Sequence, residues 1–145
     1  MKISRIRDVK IPTRGTERSA GIDFYVPNDY PTTIIAPGKS VLIPTGIKAQ
    51  IPSGYMLTAF NKSGVALKQC LIKGAEVCDE DYQGEIHIHV INVGQGHQTI
   101  TPGQKLIQFI LVPVFYDTVE EVDISDLYPE VSERGEGGFG STGTN

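Results

Sequence analysis

The sequence predicts an all-β domain, and three observations carry that prediction. Sixteen glycines and nine prolines among 145 residues, with no tryptophan, break the chain into short pieces. Those pieces are rich in Val, Ile, Thr and Tyr, the residues that fit a pleated, half-buried surface. Only one stretch, residues 63–69, reads as a helix, and at seven residues it is too short to stand without tertiary support.

Taken in order, residues 3–9 read as an opening strand, and residues 21–25 as a short strand after a polar loop. Runs at 32–35, 40–43, 46–51 and 56–60 follow, separated by Pro31, Pro37-Gly38, Pro44 and Pro52-Ser53-Gly54. Such regular punctuation is the pattern of a sandwich or barrel. Ile86, Ile88 and Val90 alternate with Glu85, His87 and His89, as on a strand with one buried face. Residues 106–114 are nearly continuous apolar sequence, which predicts a central strand or one buried at a subunit contact. Residues 117–133 turn acidic and irregular and read as a connector. No repeat or second domain is visible, so the expected organisation is a single β domain over 1–133 and a flexible arm over 134–145.

Composition also narrows the function classes. A net charge of −4 gives no global field toward nucleic acid or a membrane surface, so the basic residues must act locally. Cys70 and Cys78 are the only cysteines and lack zinc spacing, which predicts reduced thiols. No leader pattern and no apolar run near the length of a membrane span are present. The expectation is a soluble protein of the cytoplasm or another intracellular compartment (a host cell, were the source viral).

The arm is the most distinctive stretch: Arg134-Gly135-Glu136-Gly137-Gly138-Phe139-Gly140-Ser141-Thr142-Gly143-Thr144-Asn145. Five of these twelve residues are glycine, so the stretch cannot bury enough surface to fold by itself. It reads either as a solvated tail or as a mobile arm that closes on a phosphorylated nucleotide. In the second reading glycine amides cradle anions, Arg134 supplies charge and Phe139 offers a stacking face. Gly135, Gly137 and Gly140 match G-x-G-x-x-G, but the dinucleotide fingerprint needs a following helix and strand, and five residues follow Gly140. The P-loop spacing from Gly138 to Gly143 places Thr144 where the lysine belongs.

Other polar positions carry paired readings. Asp79-Glu80-Asp81 before a strand is an acidic turn, or the carboxylate that activates a water for phosphoryl transfer. Ser63 caps the short helix, or its turn receives an anion with Lys62 adding charge. Asp23 interrupts an apolar strand, held by structural hydrogen bonds or standing in a metal's outer shell. Gln108 needs a polar partner, which is either backbone or a ligand phosphate. His87 and His89 share one strand face with no third ligand in view, so they read as solvent or interface residues. Tyr82 reads as a packing residue with its hydroxyl satisfied.

The order of these segments carries more than any one of them. Ala20-Gly21-Ile22-Asp23, Asn61-Lys62-Ser63-Gly64, Val77-Cys78-Asp79-Glu80-Asp81-Tyr82-Gln83-Gly84-Glu85, Pro102-Gly103-Gln104-Lys105-Leu106-Ile107-Gln108 and the arm resemble the five ordered motifs of the trimeric dUTP diphosphatases (dUTPases). The resemblance spans nearly the whole chain. It implies a jelly-roll-like β-barrel or sandwich, a homotrimer, and magnesium-dependent hydrolysis of dUTP to dUMP and pyrophosphate, with no nucleic-acid or membrane partner. That activity limits uracil in DNA and supplies dUMP for thymidylate synthesis.

Each active site is implied to take motifs one, two and four from one subunit, motif three from a second and the arm from a third. By position, Asp79 is implied as the catalytic general base for in-line attack on the α-phosphorus. The implied substrate-binding set is Lys62, Ser63, Gly64, Gly74, Val77, Cys78, Tyr82, Gln108, Arg134, Phe139, Gly140, Ser141 and Thr142. Within it, main chain around 74–78 reads the uracil edge, Tyr82 packs on the deoxyribose and Phe139 stacks on the base. Asp23 touches Mg2+ through water. Four residues depart from the family pattern: Lys62 for Arg, Asn61 for Pro, Glu76 for Gly and Cys78 for Ile. Glu76 is expected to face outward. A dCTP deaminase-like enzyme and a nucleotide-switched regulatory protein are the alternatives.

Overall fold

The structure, a computed structural model, describes residues 1–138, so Phe139, Gly140, Ser141 and Thr142 lie outside the described residues. In chain order the strands are β1 (Lys2–Arg5), β2 (Thr13–Arg14), β3 (Ile22–Asp23), β4 (Thr33–Ile35), β5 (Ser40–Pro44), β6 (Ile47–Gln50) and β7 (Tyr55–Asn61). Helix α1 (Ser63–Gln69) follows, then β8 (Leu71–Lys73), β9 (Val77–Cys78), β10 (His87–Asn92), β11 (Gln98–Ile100), β12 (Ile107–Pro113) and helix α2 (Ile124–Leu127). Every pairing is antiparallel: a five-stranded sheet ordered β2-β3-β12-β7-β9, a three-stranded sheet β5-β10-β8, and the pairs β1-β6 and β4-β11. The all-β, jelly-roll-like expectation holds.

Met1–Phe115 form one compact unit, and a second begins at Tyr116. The first holds the core. Phe24 and Phe109 meet with ring centroids 4.6 Å apart and planes tilted by 56°, a favourable geometry for two quadrupoles. Around them pack Ile43, Leu57, Ile86, Ile88, Val90, Ile100 and Ile107, all buried. The continuous apolar run became β12, flanked by β3 and β7 as a central strand should be. In β10, Ile88, Val90 and Asn92 face the core, while His87, His89 and Ile91 lie on the half-exposed face. Fully buried Asn92 is satisfied three times: its Nδ2 donates to Ile35 O at 2.9 Å and Gly96 O at 2.8 Å, and its Oδ1 accepts from Gly94 N at 3.0 Å.

Several elements differ from expectation. The opening strand stops at Arg5 because its partner β6 begins at Ile47, opposite Arg5. Beyond it Gly46, at φ +72°, lets the chain pass close to Arg7 and Val9, where an added Cβ would lie 2.8 Å from Arg7 Cβ. Of that segment only Val9 enters the core. Strands β2, β8, β9 and β11 are two or three residues long, too short for alternation to show. A second helix, α2, lies in the acidic connector where irregular chain was expected, so the described residues hold two helices and not one. Helix α1 has the expected bounds and ends at Cys70, which adopts the left-handed conformation at φ 50° usual for helix C-termini.

Candidate active site

Three of the five sequence segments converge at one end of the central strands. Register pairs Gln108 of β12 with Asp23 of β3 on one side and Phe60 of β7 on the other. Gln108 Nε2 donates to the Asn61 carbonyl at 2.9 Å. Its side chain also lies so close to Gly21 that a Cβ there would sit 2.0 Å from Gln108 Oε1, so glycine at 21 is a packing requirement. Backbone is therefore the partner of Gln108, and its amide keeps a second N–H to donate.

Asp23 is buried, with Lys62 Nζ 2.5 Å from Oδ1 and Lys105 Nζ 3.1 Å from Oδ2. Burial pushes the Asp23 carboxyl up, but hydrogen bonds and charge from Lys62 and Lys105 outweigh it and hold the carboxyl below the usual aspartate value. The same pairing raises the Lys105 ammonium. Lys105 belongs to this cluster although sequence reasoning gave it no role; the available signal was a lone cation just before a strand whose register is fixed by Gln108.

Helix α1 begins at Ser63 itself. Lys62 takes the N-cap position in extended conformation (φ −89°, ψ 121°), and no side chain caps the first turn. The expected capping by Ser63 is thus corrected: the chain reaches Asp23 through Lys62, and that extended residue becomes the helix boundary. Gly64, within the first turn, has open space where a Cβ would stand.

The acidic segment forms a separate structure. Backbone Tyr82 N–H donates to Asp79 O at 3.2 Å and the Tyr82 hydroxyl donates to Glu85 O at 2.9 Å, closing the turn on itself. The Tyr82 ring covers Gly84, where an added Cβ would lie 2.2 Å from the hydroxyl oxygen. Glu80 is structural, accepting from Gly54 N at 2.5 Å and Ser53 Oγ at 3.3 Å. Val77 and Cys78 pair with Thr58 and Leu57 in the middle of β7.

A cavity of about 160 Å³ is lined by Ala75, Glu76, Val77, Cys78, Asp79 and Tyr82 from the segment that holds β9 and this turn, and by Leu42, Glu85, His87 and Phe109. That is below the roughly 300–1,000 Å³ of a pocket that takes a whole ligand, so it suits one part of a nucleotide. A larger space of about 480 Å³ lies against Glu80 and Asp81, whose carboxylates repel phosphate. Burial, and secondly the Asp79 charge, push the Cys78 thiol up, so it stays protonated and unreactive. Glu76 lines the cavity, and its half-exposed carboxylate is ion-paired with Lys73. Both cysteines are free thiols.

The sequence reads His87 and His89 as solvent or interface residues; the structure places both on the half-exposed face of β10, each with a hydrogen-bond partner in this chain. His87 Nδ1 meets Glu85 O at 2.8 Å, and His89 Nδ1 accepts from Ala75 N–H at 2.8 Å.

The described residues hold no cluster of three His, Cys, Asp or Glu able to bind a metal. Mg2+ keeps several waters and is held through few carboxylates and substrate phosphates. Both oxygens of Asp23 are engaged by lysines, so a magnesium ion that met this carboxylate would do so through water.

In the second unit Arg134 Nε donates to Gly137 O at 2.7 Å across a turn in which Gly135 has φ +50°. Among the described residues no helix is long and apolar enough to cross a membrane.

A family model described as dUTPase matches residues 7–143. A human mitochondrial deoxyuridine 5'-triphosphate nucleotidohydrolase is 39% identical over 92% of this chain, which spans half of that protein's length. The protein of the same name from Fusobacterium nucleatum is 34% identical over 99% of this chain and 96% of its own. Among solved structures, the Staphylococcus bacteriophage 80alpha dUTPase with dUpNHpp superposes with a TM-score of 0.86 at 24% identity, covering 98% of this chain and 97% of that one. The chain belongs to the dUTPase family.

Proposed function

We propose that this chain hydrolyses dUTP to dUMP and pyrophosphate, with magnesium, as a homotrimer with shared active sites. The observation that supports it best is the convergence of Asp23, Lys62, Lys105 and Gln108 at one point, apart from a cavity that Asp79 lines. The first group suits phosphates: two ammonium groups and an amide donor, with Ser63 next to Lys62 in sequence. The second suits a base and sugar, with main chain of residues 74–78 toward the uracil edge and Tyr82 toward the deoxyribose. None of Lys62, Ser63, Lys105 or Gln108 lines that cavity, which favours a site completed by a neighbouring copy.

Asp79 accepts a proton from the attacking water in line with the α-phosphorus; phosphoryl transfer otherwise depends on positioning and charge neutralisation. When bound, magnesium supplies that neutralisation, and Asp23 is the residue that would touch it, through water. Arg134, Gly140, Ser141 and Thr142 hold phosphates from the arm, and Phe139 stacks on the base. Closing the arm excludes bulk water. The product dUMP feeds thymidylate synthesis, and removal of dUTP keeps uracil out of DNA, an intracellular role.

Product analysis tests the assignment. Incubation with dUTP is expected to give dUMP and pyrophosphate in equal amounts. Ammonia release from dCTP, or tight dUTP binding without turnover, overturns it.

A further inference from the structure

Residues 74–76, between β8 and β9, are held by contacts that the proposed catalytic set does not include. Gly74 N–H donates to the His89 carbonyl at 2.8 Å, and Ala75 N–H donates to the ring Nδ1 of the same residue at 2.8 Å. On the other flank, Lys73 N–H donates to Asn61 Oδ1 at 2.7 Å, and the Glu76 carbonyl accepts from Ala59 N–H at 2.8 Å. The Lys73–Glu76 ion pair spans the segment. Asn61 and Glu76, two departures from the family pattern, therefore both help to hold this segment.

We propose that His89 is a positioning residue for base recognition: its imidazole, with Nδ1 as acceptor, fixes the Gly74–Ala75 peptide and thereby the main chain that lines the cavity. This rests on the reading of residues 74–78 as the segment that meets the base.

Three observations carry it. First, the Ala75 bond requires a neutral ring with its proton on Nε2, since a protonated Nδ1 cannot accept. Second, the ring lies against Gly74 so closely that an added Cβ would be 2.0 Å from Nδ1 and 2.4 Å from Cε1. Gly74 is not among the residues with positive φ, so the need for glycine there comes from the His89 ring and not from backbone conformation. Third, His89 sits between buried Ile88 and Val90 on the half-exposed face of β10. The strand itself asks only for a β-prone side chain there; an aliphatic one offers no acceptor to Ala75. His87, on the same face, meets Glu85 O beyond the acidic turn, so one face of β10 supports both ends of the segment that lines the cavity.

The test compares His89→Asn, whose Oδ1 takes the place of Nδ1, with His89→Leu, which keeps bulk without an acceptor. Losing one exposed hydrogen bond is expected to show as a roughly two- to tenfold effect. The Leu variant is expected to raise KM for dUTP by about that factor, with kcat within about twofold, and to narrow the preference for dUTP over dCTP equally. Ala75 amide exchange, measured without any substrate, is expected to accelerate by the same factor. The Asn variant stays close to the unmodified protein in all three. In the unmodified protein, 15N shifts of the ring are expected to show an unprotonated Nδ1, a readout that no folding defect can blur.

A protonated Nδ1, equal losses in the Leu and Asn variants, or unchanged KM and exchange in the Leu variant overturns the role. Absence of dUTP turnover by the unmodified protein sinks the functional reading, and base recognition by His89 with it. The ring and exchange data would still report whether the His89–Ala75 bond exists.

Discussion

Lys62 Nζ lies 2.5 Å from Oδ1 of buried Asp23, which joins the segment before α1 to strand β3 through a single ion pair. Lys105 holds the second oxygen. Because these partners depress the Asp23 pKa below the ordinary 3.8, their stabilisation is fully present above the unfolded value and is lost as pH falls through the folded one. The stability gap between the unmodified protein and Asp23→Asn is expected to be about 2 kcal/mol at neutral pH. It should hold down to about pH 5 and close as pH falls further through and below 3.8. Urea denaturation across pH measures it; a gap that widens in acid contradicts the pairing.

Asn92 is predicted to be a stability residue with no part in chemistry. Its carboxamide serves the Ile35 carbonyl of β4 and, in the turn that follows β10, the Gly96 carbonyl and the Gly94 N–H. Asn92→Leu keeps the number and branching of side-chain heavy atoms but removes every hydrogen-bonding group, at a cost of about 3 kcal/mol. Urea unfolding reads this directly. A loss under about 1 kcal/mol would mean that water replaces the side chain.

What the sequence disclosed follows from the range over which its signals act. Strand β12 was legible because nine successive residues are almost wholly apolar, and β10 because Ile86, Ile88 and Val90 alternate with polar neighbours. Helix α1 had legible bounds, although its start is fixed by the extended Lys62 that reaches Asp23. The short strands β8 and β9 were not legible: each is made by pairing with β10 or β7, and two or three residues carry no period. The same holds at the site. Asp79 and Gln108 stood out as polar residues where polarity is costly or clustered. The Asp23–Lys105 pair and the His89–Ala75 bond join residues distant in sequence, so nothing local announces them; alternation put His89 on the outer face without saying that a backbone N–H awaited it.

Asp79→Asn is predicted to separate binding from chemistry. The side chain keeps its size at the cavity wall but cannot take a proton from water. Turnover of dUTP is expected to fall by about 10²–10⁴, while the affinity for a non-hydrolysable dUTP analogue, measured by calorimetry, changes little. Parallel losses of both would assign Asp79 to binding.

A chain ending at Glu133 tests the arm. The core of the first unit ends before Phe115, so thermal stability is expected to be unchanged. Without Arg134 and the residues after it, phosphate positioning and water exclusion are lost together, and dUTP turnover should fall by about a hundredfold or more. Equal turnover by the truncated and intact chains removes the arm from the mechanism.

Subunit mixing tests whether the site is shared. One chain carries Asp79→Asn, and another carries Ser63→Ala with Gln108→Ala; each assembly alone is expected to be nearly inactive. If the phosphate cluster of one copy meets the cavity of another, refolding equal amounts together generates sites that draw an intact cluster from one chain and an intact Asp79 from the other. For random assembly this is about a quarter of all sites, so about a quarter of the unmodified activity should return. If each chain builds its whole site, every site retains one lesion and no activity returns. Recovery measured against the mixing ratio separates the two arrangements, because a shared site predicts a maximum at equal proportions.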